Sequence, residues 1–286
     1  MSTSFPLTPL PIPSLLKEIP DAPASLTVRG TFPDESLKFL SVVGSRTYSP
    51  YGRQVCEKLI AGLRGYPVVI VSGLALGIDG IAHQAALDAG LVTVAVPGSG
   101  LNDNVLYPAS HRPLAQKILE SGGALVSEFA PDWRPRPESF PKRNRIMAGM
   151  SHAVLVIEAE ERSGTLITSR LATEYNRDVL AVPGPVHSAT SKGPHMLIKK
   201  GAALISESTD ILEALGINEK QEGQPALPFD LSEDERALVA LLAEPLPRDV
   251  LIAKSGKTAT EANILLSSLE LKGVVEERVG KVGLRG

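Results

Sequence analysis

Six short runs of β-branched and apolar residues, each followed by a helical pattern, constrain this chain more than any other feature. They are Leu40–Val43, Val68–Val71, Val92–Val96, Ala124–Val126, Ala153–Ile157 and Val179–Val182. Continuous apolar runs alternating with helices are what a parallel sheet needs when helices cover both of its faces. The 286 residues allow such an α/β domain together with a small appendage.

The two ends read differently. Residues 1–35 carry seven prolines and show neither a helical nor a strand period, so they are expected to be an extended arm, without a core of its own, that packs on or leads into the first domain. The sheet domain is then expected over 36–217. Residues 218–230, NEKQEGQPALPFD, read as a linker. From 231 to 286 a capping box at Ser232 and Glu235 opens an amphipathic helix, further helical stretches cover 247–254 and 258–272, and Gly273 to Val282 read as a β-hairpin. Three helices ending in a small β-wing predict a winged helix-turn-helix, although a plain three-helix bundle has the same helical pattern.

Charge and composition narrow the function classes. Lys and Arg number 29 against 32 Asp and Glu, a net charge of -3, so attraction to nucleic acid requires local clustering. The single cysteine, Cys56, forbids an intramolecular disulfide and a multi-cysteine zinc site, and fits a reducing compartment. No apolar run reaches the ~18 residues of a membrane span, and the first basic residue is Lys17, so a cytoplasmic protein with no membrane partner is expected.

Four glycine-bearing loops follow strands: Gly44-Ser45-Arg46, Ser72 to Gly77, Pro97-Gly98-Ser99-Gly100 and Ser163-Gly164-Thr165. In a parallel sheet they gather on one edge, where open α/β sheets bind ligands. Gly73 to Gly77 and Ser163 to Thr165 can act as anion cradles, or the glycines can simply allow tight turns; four such loops on one edge favour a site. Two nucleotide fingerprints are incomplete. Gly98 and Gly100 begin a GxGxxG whose third position is Asp103, and Gly256-Lys257-Thr258 lacks the upstream glycine of a Walker A loop, where Leu251 stands.

The strongest local charge feature runs from Trp133 to Arg145. Positions 134–145 hold five basic residues and one acidic residue, with Trp133 and Phe140 beside them. Cations that follow phosphates and rings that stack on bases suit single-stranded nucleic acid; the alternative is a solvated basic loop. Catalytic patterns are weaker. Asp79 and His83 lie one helical turn apart without a third ligand at metal spacing, Ser72 and Ser163 have no base nearby in sequence, Glu158 follows a strand where it can orient neighbouring groups, and Cys56 reads as core. No catalysis, cofactor or metal is expected.

In order along the chain, Val42-Val43-Gly44-Ser45-Arg46, Ser72 to His83, Phe140 to Ile146, Glu158-Ala159 with Ser163 to Thr168, and Ala181 to Gly184 resemble the DNA-processing protein A family, also called Smf. The resemblance runs from about Ile12 to Ile205. It implies an extended Rossmann-like domain that binds single-stranded DNA as a homodimer and helps load the RecA recombinase in natural transformation, without catalysis. It also implies that Arg46, Lys142, Arg143 and Arg145 contact phosphates and that Phe140 stacks on a base. Ser72, Gly73, Gly98, Ser99, Ser163, Gly164 and Thr165 would supply donors from the loops, and Asn144 would belong to the same group or fix the basic loop. Many members carry an N-terminal helical domain that residues 1–35 are too short to hold. Leu269 to Val275 is similar to the family's winged-helix appendage.

Two further functions compete with that reading. A nucleoside-monophosphate hydrolase of a related fold would use a PGG-x-GT-xx-E type motif, of which Pro97 to Gly100 and Ser163 to Thr165 are separated fragments. A transcription regulator would read duplex DNA through residues 231–286.

Overall fold

The structure is a computed structural model that describes residues 5–217, 232–242, 246–271, 274–278 and 280–284. Backbone contacts divide the chain into two units, residues 1–219 and 220–286. The expected linker, 218–230, lies outside the described residues.

In the first unit the strands are β1 (Leu7–Leu10), β2 (Leu26–Gly30), β3 (Lys38–Val43), β4 (Val68–Ser72), β5 (Thr93–Ala95), β6 (Ala124–Ser127), β7 (Ala153–Val156), β8 (Asp178–Ala181) and β9 (Ala203–Leu204). The α-helices are α1 (Ser14–Lys17), α2 (Pro50–Ala61), α3 (Ile78–Asp88), α4 (Arg112–Glu120), α5 (Ser139–Met150), α6 (Thr165–Glu174), α7 (Lys192–Lys199) and α8 (Ser208–Ala214). They build one sheet of order β1-β2-β6-β5-β4-β3-β7-β8-β9. From β6 across to β9 every pair is parallel, while β1 pairs with β2 and β2 with β6 antiparallel.

Strand pleat explains why the central runs are continuously apolar. Leu40 and Val42 of β3 join Ile70, Leu155 and the buried side of α2 and α3 in one core cluster. Phe39 and Val43 point the other way and join Val69, Val71, Val154 and Val156 against α1 and α5. Each strand therefore feeds two cores, and no position is left for a solvent-facing polar residue. The one hydroxyl in the middle of β3, Ser41, donates to the Met147 carbonyl at 3.0 Å and bonds Ser151.

The proline-rich arm is more than an extended segment: it contributes β1, α1 and β2 to this unit. Leu16, Ile19, Leu26 and Val28 are buried in the cluster beneath α5. Its prolines break the elements into pieces too short to show a period, and Pro9 falls in β1, at the sheet edge, where a missing N–H costs little.

In the second unit α9 (Glu233–Ala240) opens on the expected capping box, with the Glu235 N–H donating to Ser232 Oγ at 3.2 Å and the Ser232 N–H to Glu235 Oε2 at 2.8 Å. It is followed by β10 (Leu246–Pro247), α10 (Arg248–Lys254), α11 (Ala259–Leu271), β11 (Val275–Arg278) and β12 (Lys281–Leu284). Both β10 and β11 pair antiparallel with β12, and Leu238, Leu251, Leu266, Leu269 and Val282 form a separate core. Three helices closed by a β-wing make this a winged helix rather than a plain bundle. No helix among the described residues is long and apolar enough to cross a membrane.

Candidate nucleic-acid interface

Strand order reverses at β3. The chain runs outward through β4, β5 and β6 on one side, then returns to place β7, β8 and β9 on the other. Loops leaving β3 and β7 must diverge there, and the gap between them is where open α/β sheets hold ligands. A cleft of about 500 Å³ lies in that gap. Gly44, Ser45, Arg46 and Thr47 form one wall, Arg162 to Thr165 another, and Phe140 and Asn144 of α5 a third. The Thr165 hydroxyl donates to the Gly44 carbonyl at 3.0 Å and ties two of these walls together. Thr165 opens α6, so the positive end of that helix dipole faces the cleft.

Arg46 is exposed and makes no hydrogen bond or ion pair among the described residues; its guanidinium carbon lies 5.0 Å above the centre of the Phe140 ring. On another side that ring rests on Gly98, where an added Cβ would stand 2.7 Å from Phe140 Cδ1. Cation and ring thus form a contact pair at the cleft mouth, of the kind that contributes about 0.5–1 kcal/mol at exposed sites.

Below them sit two buried charged side chains, Asp79 and Arg143. Asp79, in the first turn of α3, is 6% exposed and lies near the backbone N–H groups of Ala75 and Gly73. Burial pushes its carboxyl above the usual range, opposed by the charge of Arg143 and by those two N–H groups. Arg143 is 4% exposed; its Nη1 donates to the carbonyls of Gly73 and Val96, and its Nε donates to Asn144 Oδ1 at 3.1 Å. Burial lowers its pKa to about 10, with Asp79 opposing, which still leaves it cationic at neutral pH. Gly73 is required here: a Cβ would lie 2.0 Å from Arg143 Nη1. The next residue, Leu74, takes a left-handed φ of 58°, and its carbonyl accepts from His111 Nδ1 at 2.8 Å.

The expected site residues separate into those the cleft gathers and those it does not. Arg46, Phe140, Asn144, Ser163, Gly164 and Thr165 line it, with Arg143 at its floor. Ser72 is fully buried, and its hydroxyl donates to the Val42 carbonyl at 2.7 Å. In the Gly73–Gly77 loop, Gly73 packs against the Arg143 guanidinium, which donates to its carbonyl, and Gly77 stands against the backbone of Ser45 and Arg46. Gly98 supports the Phe140 ring, while Ser99 is buried and its hydroxyl is bonded to the Gly100 carbonyl. Arg145 is corrected as a free phosphate contact. It pairs with Glu128 and Asp21 and donates to the Asp21 carbonyl at 2.7 Å, which fastens the N-terminal arm to α5. Lys142 is exposed in a separate depression, beside Trp133, Arg145 and Arg170.

Arg162 was missed from sequence. It is exposed on the cleft wall three positions before Thr165, but in the sequence it follows Glu160 and Glu161, where the local charge balance hides it. The burial of Asp79, in the first turn of α3 beside the Ser72–Gly77 loop, has no sequence signature.

The family model for DNA recombination-mediator protein A matches residues 9–216, nearly all of the first unit. The chain belongs to that family. The family's winged-helix domain matches residues 222–281. Protein Smf of Escherichia coli K12 is 44% identical over 273 residues, covering 91% of this chain and 71% of that protein. The DNA processing protein DprA of Streptococcus pneumoniae is 45% identical over 199 residues, covering 69% and 68% respectively. The X-ray structure of the pneumococcal DNA processing protein A superposes with a TM-score of 0.68 at 42% identity, over 74% of this chain and 75% of that one. DNA processing protein A of Helicobacter pylori, for which a single-stranded DNA binding mode is described, gives 0.67 at 29% identity over 75% and 98%. The extended Rossmann-like sheet with a winged-helix appendage is thus the architecture of the family.

Proposed function

We propose that this chain binds single-stranded DNA in the cleft between the β3 and β7 loops and acts without catalysis, as a homodimer, to protect incoming DNA and help load the RecA recombinase. The single observation that carries the binding reading is the exposed, unpaired Arg46 guanidinium set over Phe140 at the mouth of a cleft closed by the positive end of α6. Cation, ring and helix end answer the three parts of a single-stranded ligand: phosphate charge, base face and phosphate oxygens. The described Helicobacter binding mode supports the same ligand class. Within the cleft, Arg46 and Arg162 take the phosphates, Phe140 the base, and Ser163, Gly164 and Thr165 the phosphate oxygens; Arg143 positions the floor and Asn144 braces it.

A nucleotide hydrolase reading loses support because Pro97 to Gly100 does not line the cleft that Ser163 to Thr165 lines, so the two motif fragments do not share it. Duplex reading by the second unit loses support because α11, ATEANILLSSLEL, carries two glutamates and neither Lys nor Arg.

Arg46→Ala tests the binding reading. Loss of a charge-assisted phosphate contact is expected to weaken binding of a thymidine oligonucleotide at least about tenfold, while loss of the exposed cation–π contact, about 0.5–1 kcal/mol, lowers the melting temperature by only about 1–4 °C. Normal affinity in a folded Arg46→Ala protein would put the site elsewhere.

A further inference from the structure

Phe140 does not stand alone. Tyr107, in the loop between β5 and α4, is 44% exposed, and its ring centroid lies 6.0 Å from that of Phe140 with the planes tilted by 55°. Its hydroxyl makes no hydrogen bond among the described residues. A large ring left in water beside a second aromatic, with no structural bond to hold it, is an unfilled contact surface rather than part of the core. Gly98 and Arg46 already occupy the surroundings of Phe140, so the accessible aromatic area at this end of the cleft is largely that of Tyr107.

We infer that Tyr107 is a second base-stacking platform, taking the nucleotide next to the one at Phe140, so that the strand leaves the cleft toward the loop before α4. The inference rests on the single-stranded DNA reading and adds a direction and a residue to it. Spacing supports it. Neighbouring bases in a duplex strand lie ~3.4 Å apart and parallel. Rings 6.0 Å apart and tilted by 55° accept two neighbouring bases only after these have separated and turned, which a single strand does freely and a duplex does not. The pair therefore selects for unpaired strands by geometry, in addition to any attraction for phosphate.

The test compares a thymidine oligonucleotide with an abasic oligonucleotide of equal length on the full chain. Tyr107→Ala is expected to weaken the thymidine complex about tenfold, within what one stacked base contributes, and to leave the abasic complex unchanged. Tyr107→Phe retains wild-type affinity, because the hydroxyl is not used. Tyr107→Trp supplies a spectroscopic signature: its emission is quenched by the thymidine oligonucleotide beyond any change of the parent's sole tryptophan, Trp133, and not by the abasic one. Wild-type binding that Tyr107→Ala leaves intact, or weakens equally for both oligonucleotides, overturns the inference while sparing the cleft. Absence of wild-type binding to either oligonucleotide overturns both.

Discussion

Arg143→Ala separates a phosphate contact from a structural cation more cleanly than any other substitution in this chain. In the native protein the guanidinium satisfies the carbonyls of Gly73 and Val96 and faces a carboxylate that is itself buried. Truncation leaves both carbonyls without that donor and removes the largest favourable charge acting on the buried Asp79 carboxyl. Leaving a buried acceptor without its donor typically costs about 1–3 kcal/mol, hence about 2–6 kcal/mol for the two carbonyls. For a unit of some two hundred residues each kcal/mol lowers the melting temperature by roughly 2–4 °C, so a fall of about 4–24 °C is expected. The pH dependence follows from the carboxyl. Burial already raises the Asp79 pKa above its unfolded value, and loss of the cation raises it further. Native protein then binds the proton more tightly than unfolded chain does, so the deficit of the variant is full above the raised pKa and shrinks as pH falls through it. Thermal unfolding followed by circular dichroism at about pH 7.5 and about pH 5 reads both effects. A variant that melts within about 2 °C of wild type yet loses single-strand affinity would refute the argument and return Arg143 to the phosphate; a deficit that ignores pH would refute the role of Asp79.

Two further outcomes are expected. With Arg46 and Arg162 as the exposed guanidinium groups of the cleft, log K for a single strand should fall with log salt at a slope near about -1.4, and a slope near -3 would bring Lys142 and Arg145 back into contact with the strand. Residues 1–217, which contain both sheet cores and the whole cleft, should fold alone and keep most single-strand affinity in a gel-shift assay; aggregation of that fragment would show that the first unit needs the second.

How much of this could be read in advance depended on whether the physics was local. Strands β3 to β8 were legible because burial on both faces leaves a continuous apolar run, and α9 because a capping box is a four-residue signal. The cleft was legible in outline, since Gly44-Ser45-Arg46 and Ser163-Gly164-Thr165 follow neighbouring parallel strands. The arm was not, because β2 is stabilised by pairing with β6, almost a hundred residues away, and not by any period of its own. The basic segment misled for a related reason. It folds as part of α5, and a helix distributes consecutive residues around its axis: Lys142 to one depression, Arg143 into the core, Arg145 to the N-terminal arm. Charge density along the chain therefore overstated the number of cations facing one ligand.

The contact between Arg46 and Phe140 has a cost that falls on some ligands and not others. A bare phosphate, or the backbone of a duplex with its bases turned inward, can draw the guanidinium away but leaves the ring uncovered, forfeiting the cation–π attraction of about 0.5–1 kcal/mol. A free base can approach the ring only by displacing the guanidinium, and brings no anion to receive it. Under the proposed binding, a single strand would meet both demands in one encounter, base replacing cation on the ring as phosphate replaces ring beneath the cation. The two groups would then behave as a conjunction: each half of the ligand is favoured only in the presence of the other, and discrimination would lie in a pair of side chains that otherwise contact one another.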